Sequence, residues 1–281
     1  MMSAQALGGA FGQSMMSSMN TSASRGGWAA LDYSLIRSAL LSADANPEVA
    51  ALLLQALRWR VVKTPAGRAR RSALQSYINA DVLGCGNRDG KNDLCMALSG
   101  CGSALVVEQW ARFVNCAASE CSGRSYLLQQ DGLVKALCAM LKAEPQDNAL
   151  RRNVLGALQK FSLRHAPQNE MIEAELIAWI VEALGTADTT GGGDYGLSDY
   201  SVEYGTALLM NLSLRPAGKL QAERENVPTL AVLNALLEMD NPQVRTYVNG
   251  TLYSVLTRPV LKDQARAMGM DEVTTIICVH G

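Results

Sequence analysis

Apolar residues recur along this chain at helical spacing. Between residues 31 and 60, Leu35, Leu40, Val49, Leu52, Leu53, Ala56 and Leu57 predict two helices. They break at Asn46 and Pro47, where proline suits the first turn of the second helix because a helix start leaves its N–H unpaired anyway. A third helix is predicted over 72–83. Beyond about residue 104 the pattern repeats. The segments Phe113 to Ala117, Leu158 to Ser162, Leu209 to Ser213 and Leu252 to Leu256 have Asn115, Lys160, Asn211 and Ser254 as third residues, 45, 51 and 43 positions apart. The longest interval contains a Gly-rich insertion at 185–197. Between these segments runs a second helix type, carried by Val134, Leu137 and Leu141, then Ile177, Ile180 and Leu184, then Leu230, Leu233 and Leu237. Each set has the i, i+3, i+7 spacing of one helix face. Pro145, Pro167, Pro216, Pro228, Pro242 and Pro259 fall between these helices or in their first turns. A period in the mid-forties with two or three helices per unit predicts an all-α, armadillo/HEAT-like right-handed superhelical solenoid, in which each repeat buries its apolar face by stacking on the next.

The chain divides on this reading into four stretches. Residues 1–27, rich in Met, Ser and Gly, form a flexible N-terminal tail, and 28–83 supply helices leading into the array. Residues 84–103 are a Gly- and Cys-containing loop with a helix start. Residues 104–281 are the repeats.

Composition narrows the function classes. With 48% apolar and 18% charged residues the chain has ample core material and is not a disordered protein. Its 25 basic and 26 acidic side chains leave a formal charge of -1, so no global field draws it to nucleic acid or to anionic lipid. Its longest uncharged stretches suit no bilayer span. The expectation is a soluble intracellular protein with protein partners, no nucleic acid and no membrane insertion. Seven cysteines, an odd number without a C-x-x-C pair, argue against a disulfide framework or a zinc ribbon.

Catalytic chemistry is sparse. Only His165 and His280 exist, neither placed for a triad or a metal cluster, and His165 is expected at a helix C-terminus, beside the last carbonyls. There is no G-x-S-x-G. Gly84 to Asn92 superficially suggests a phosphate loop, but Gly86 to Gly90 is one residue short of the spacing needed, and Asn92 stands where a hydroxyl must hold magnesium. Cys85, Cys95 and Cys101 lack the short ligand spacing of a metal site. No enzyme activity, cofactor or metal is expected. Binding residues are more numerous. Arg58, Arg60, Lys63, Arg68, Arg70 and Arg71 lie within 14 residues, with no acid between Glu48 and Asp81. Such a basic patch attracts an acidic surface, such as a tubulin tail, with an affinity that salt reduces. In armadillo arrays the last helix of each repeat lines a groove, and Asn115 and Asn211 stand where a ladder of asparagines binds an extended partner. Lys160 and Ser254 interrupt that ladder. Ala111 and Ala207 stand where import receptors carry tryptophan, which disfavours a nuclear-import groove. Arg151, Arg152, Lys160, Arg164 and Arg215 lie in or beside the same helices and can make charge-assisted bonds to acidic partners.

Longer strings carry a resemblance. Asn153 to Arg164, Leu197 to Tyr204, Ala207 to Arg215, Tyr247 to Leu256 and Ala265 to Met270 resemble, in order, the armadillo half of the family of LisH-domain-containing armadillo repeat-containing protein nine. Ala111 to Ser119, Gly123 to Leu127 and Tyr77 to Leu83 extend the likeness over roughly 70–281. The resemblance implies a non-enzymatic protein of the basal body and ciliary axoneme, needed for cilium assembly, stability and signalling. It also implies partners that are microtubule-associated, tubulin or TOG-domain proteins. The family's LisH and coiled-coil region and its acidic tail are not recognisable here. The alternative reading is a transport-type adaptor that binds a linear peptide along the Asn115 to Asn211 groove.

Overall fold

The computed structural model describes residues 31–86, 93–187 and 196–270. The expected tail at 1–27, residues 87–92 of the glycine loop and 188–195 of the insertion lie outside them, as does His280. Among the described residues there are fifteen helices and no strand. The chain forms two compact units, one ending at Gln130 and the other beginning at Asp131.

The first unit holds α1 (Tyr33–Leu41), α2 (Pro47–Lys63), α3 (Arg68–Asn79), α4 (Leu94–Ser99), α5 (Ala104–Ala118) and α6 (Cys121–Leu127). Asp32 starts α1 by accepting the N–H groups of Ser34 and Leu35, each at 3.0 Å. Those bonds hold its carboxyl below the usual carboxylate range. Pro47 opens α2, as its sequence position predicts. The main contact is α2 against α5, where Leu54, Leu57 and Val61 meet a face that buries Trp110, Phe113 and Val114. Each such leucine contributes about 1.5–3 kcal/mol by leaving water. Within 93–103, α4 buries Leu94, Cys95 and Leu98. Asp81, at φ 47°, anchors the turn before them. Its carboxylate accepts the Tyr126 hydroxyl at 2.8 Å and the Gly86 N–H at 3.1 Å, while Arg37 donates to its carbonyl.

The second unit holds α7 (Leu133–Ala143), α8 (Ala149–Phe161), α9 (His165–Glu173), α10 (Leu176–Gly185), α11 (Asp199–Ser213), α12 (Pro216–Ala222), α13 (Thr229–Leu237), α14 (Pro242–Val255) and α15 (Pro259–Ala267). The second helix type is α7, α10 and α13. They bury the expected residues, except that α13 turns Leu236 rather than Leu237 into the core. The helices that carry the repeated segments are α8, α11 and α14, with α11 packed between the other two. Small residues allow that stacking: a Cβ on Gly250 would lie 2.7 Å from the Met210 sulfur. Asn148, Ser198 and Asn241 cap the three helices through their side chains.

Short helices connect one long helix to the next, and glycine sets how closely they pass. In α12 a Cβ on Gly218 would stand 2.1 Å from the carbonyl oxygen of Leu212, and in α6 a Cβ on Gly123 would stand 2.0 Å from that of Ala117. Neither backbone oxygen can yield without moving a helix end. Gly218→Ala is therefore expected to cost about 1–3 kcal/mol in urea unfolding. Gly102→Ala, where nothing lies within 4 Å, is the matched control and should stay within about 0.5 kcal/mol.

Candidate partner-binding faces

A helix leaves its last carbonyls without partners, and here those ends are packed under the following helix. Polar side chains from neighbouring helices close several of them. Arg70 of α3 donates from Nε and Nη2 to the Thr64 carbonyl at 3.2 and 3.1 Å, and Arg124 of α6 donates to the Ala118 carbonyl at 2.8 Å. In the second unit, Gln168 of α9 donates to the Ser162 carbonyl at 2.8 Å and reaches the Asn211 carbonyl at 3.3 Å. Ser254 of α14 donates to the Ser213 carbonyl at 2.6 Å. Adjacent repeats are thus joined by polar bonds as well as apolar contact.

This network takes in several of the residues expected to face a partner. Asn211 is buried, 8% exposed, and its amide donates to the Ser162 hydroxyl at 2.8 Å. It locks α11 to the end of α8, and its side chain points into the protein. Asn115 is half-buried on α5, in the other unit. The two asparagines thus differ in environment, which weakens the ladder on which a peptide adaptor would depend. Arg151 lies over the Trp179 ring at 4.9 Å and donates to the Pro145 carbonyl at 3.3 Å. Arg152 donates to the Asp147 carbonyl at 2.9 Å. Lys160 and Arg164 are half-buried at the end of α8 and the start of α9. Arg215 precedes α12, with Nη1 3.4 Å from His165 Nδ1. His165 is the first residue of α9, so the expectation of a C-terminal position is corrected: the break after Phe161 starts a new helix at once.

Asp147 joins α8's approach to α11. It accepts the Ser198 N–H at 2.7 Å and the Ser201 hydroxyl at 2.6 Å. Burial acts to raise its pKa, but these bonds, with the charge of Arg152, outweigh burial and hold the carboxyl below its ordinary value. On α11, Tyr200 and Tyr204 stack with ring centroids 4.1 Å apart.

The basic stretch does not form one patch. Arg70 is folded onto the end of α2, and Lys63 sits 5.0 Å above the Trp59 ring. Arg68 and Arg71 are exposed on α3, while Arg60 is half-buried near Tyr77. Arg58 faces α5, where burial and then the charge of Arg112 hold its guanidinium below its ordinary value. Arg112, absent from the sequence reading, is therefore part of this face. Its only signal in the sequence is that it lies on the same helical stripe as Asn115.

Cys85, Cys95, Cys101 and Cys138 are buried packing residues, whereas Cys121 is exposed. Hydrogen bonding to Cys95, then burial, pushes the Cys85 thiol far up, and burial pushes that of Cys138 up to about 12. Cys101 donates to the Asp44 carboxylate at 3.1 Å. Among the described residues, no three His, Cys, Asp or Glu side chains are grouped to hold a metal, and no helix is long and apolar enough to cross a membrane.

With this geometry in view, comparison with known proteins is specific. The sequence model for "LisH domain-containing protein ARMC9, ARM repeats" matches residues 171–279. LisH domain-containing protein ARMC9 from Bos taurus is 41% identical over 251 residues, 89% of this chain and 36% of the relative. The Homo sapiens protein is also 41% identical over 89% of this chain, covering 29% of its own length, and that of Danio rerio is 41% identical over 86%, covering 28%. The chain thus spans about a third of the length of these relatives. Among solved structures, computationally designed armadillo repeat proteins for modular peptide recognition align with a TM-score of 0.65 at 14% identity, over 89% of this chain and 93% of theirs. The armadillo repeats only protein from Plasmodium falciparum aligns with a TM-score of 0.55 at 12% identity, over 74% and 80%. At such identities the likeness establishes the armadillo fold.

Two stability measurements test the internal roles. Asn211→Ala removes the donor to a buried hydroxyl and should lower unfolding free energy by about 1–3 kcal/mol in denaturant titration. Asp147 titrates at a lower pH folded than unfolded, so its stabilisation is present above the unfolded value and is lost as pH falls through the folded one. The stability gap between the natural chain and Asp147→Asn should therefore narrow in melts taken from neutral pH down into the acid range.

Proposed function

We propose, from the likeness of its repeats to those of LisH domain-containing protein ARMC9, that this chain belongs to that family and is a non-enzymatic scaffold of the basal body and ciliary axoneme. It docks microtubule-associated proteins, tubulin or TOG-domain partners among them, and supports cilium assembly, stability and signalling. The observation that carries this reading is the identity of 41% running across 89% of the chain. The armadillo fold supports the scaffold part of it. The strongly perturbed groups, Tyr77, Cys85, Tyr126 and Cys138, all lie in packing contacts and make a reaction centre a poor fit.

Expression of the tagged chain in ciliated cells, with crosslinking to its nearest neighbours, tests the proposal. Enrichment at basal bodies or along the axoneme, with crosslinks to tubulin or to microtubule-associated proteins, is the expected result. A uniform cytosolic signal without such crosslinks would overturn it.

A further inference from the structure

The turns that join α8 to α9, α11 to α12 and α14 to α15 lie side by side along one edge of the second unit. Asn211 donates to the Ser162 hydroxyl at 2.8 Å, and Arg215 Nη1 stands 3.4 Å from His165 Nδ1. Ser254 donates to the Ser213 carbonyl at 2.6 Å, and Lys219 to the Thr257 hydroxyl at 3.0 Å. Each turn has the same exposure: a buried residue, an exposed one, a half-buried arginine, then two exposed residues. The first exposed position is filled by Leu163, Leu214 and Thr257. Leu163 is 58% exposed and Leu214 57%, although each directly follows a serine that the fold buries completely. A lone exposed leucine needs no explanation. Two at one register of successive repeats, with exposed Val260 in the third turn, make a row.

The charge along this row has one sign. Residues 159–166, 210–217 and 253–260 contain Lys160, Arg164, Arg215 and Arg258 but no Asp or Glu. Glu223, at the end of α12, forks onto Arg258 at 2.7 and 2.6 Å and offsets one of those charges. Packed helices stand roughly 8–10 Å apart, so the two leucines recur at about that interval. A segment with apolar side chains at this spacing and carboxylates between them fits: its apolar groups leave water against the leucines, and its acids meet the arginines. We propose that this edge docks such an acidic, leucine-like segment of a partner protein, with Leu163 and Leu214 as the anchors. This rests on the scaffold reading and assigns it a surface and a ligand chemistry.

The test places the photoreactive residue p-benzoylphenylalanine at Ala166 or Ala217, exposed positions in the same turns, in the tagged whole chain expressed in ciliated cells. Mass spectrometry then reads the crosslinked segment. Crosslinks to acidic segments with interspersed apolar residues in another protein are expected. Leu163→Ala combined with Leu214→Ala should lower the crosslink yield about tenfold, the loss of two apolar contacts. Leu105→Ala, at an exposed leucine of the first unit, should leave it unchanged. Leu214→Glu and Leu214→Lys both remove an anchor, but the glutamate also repels an acidic segment and should lower the yield several-fold further. Thermal melts report folding, and the two single alanine variants decide the matter if the pair unfolds. Unchanged yield without the leucines, equal yields from the glutamate and lysine variants, or crosslinks only to nucleic acid or to another copy of this chain overturn the docking edge. If neither position crosslinks while the tagged natural chain still concentrates at basal bodies, only the edge is wrong. A diffuse tagged chain removes the ciliary scaffold reading, and crosslinks to an acidic segment would then still uphold the edge.

Discussion

Stacked repeats bury their own helix ends, and a carbonyl removed from water without a partner costs more than most single contacts return. That constraint organises both units. At four long-helix ends a donor from a neighbouring helix comes down to meet the carbonyl: Arg70 on Thr64, Arg124 on Ala118, Gln168 on Ser162, Ser254 on Ser213. Gly123 and Gly218 belong to the same solution, because a side chain there would strike the very carbonyls that end the helix. Apolar burial supplies most of the free energy, but these polar closures fix the register of one repeat on the next.

The same constraint decides which charges remain for a partner. A guanidinium engaged by backbone carbonyls, as Arg70, Arg124 and Arg152 are, must surrender those bonds before it can serve a ligand. Arg151 is held over Trp179 as well. Basic residues that look interchangeable in the sequence therefore have different fates. Arg58 stands apart because packing leaves its Nε buried without a hydrogen-bond partner. In the second unit the corresponding helices show a different character, with Tyr200 stacked on Tyr204.

Much of this was legible in the sequence. The helices, their proline starts at Pro47, Pro216, Pro242 and Pro259 and the apolar faces of α7 and α10 follow from spacing alone, since a helix fixes which residues share a side. The likeness to LisH domain-containing protein ARMC9 was legible as well, because long ordered strings survive where single motifs do not. The candidate sites were only partly legible. Asn211 had the right position and the wrong environment: a periodic pattern shows that a residue is on the inner helix, but whether its amide meets a partner or Ser162 depends on a turn 49 residues earlier in the chain. Arg112 was missed for the converse reason, since its importance comes from Arg58, 54 residues away. The local sequence determined the helices and their repeat. Tertiary packing decided which polar groups were left over, because hydrogen bonding and Coulomb interaction act over a few ångströms in space and are indifferent to distance along the chain.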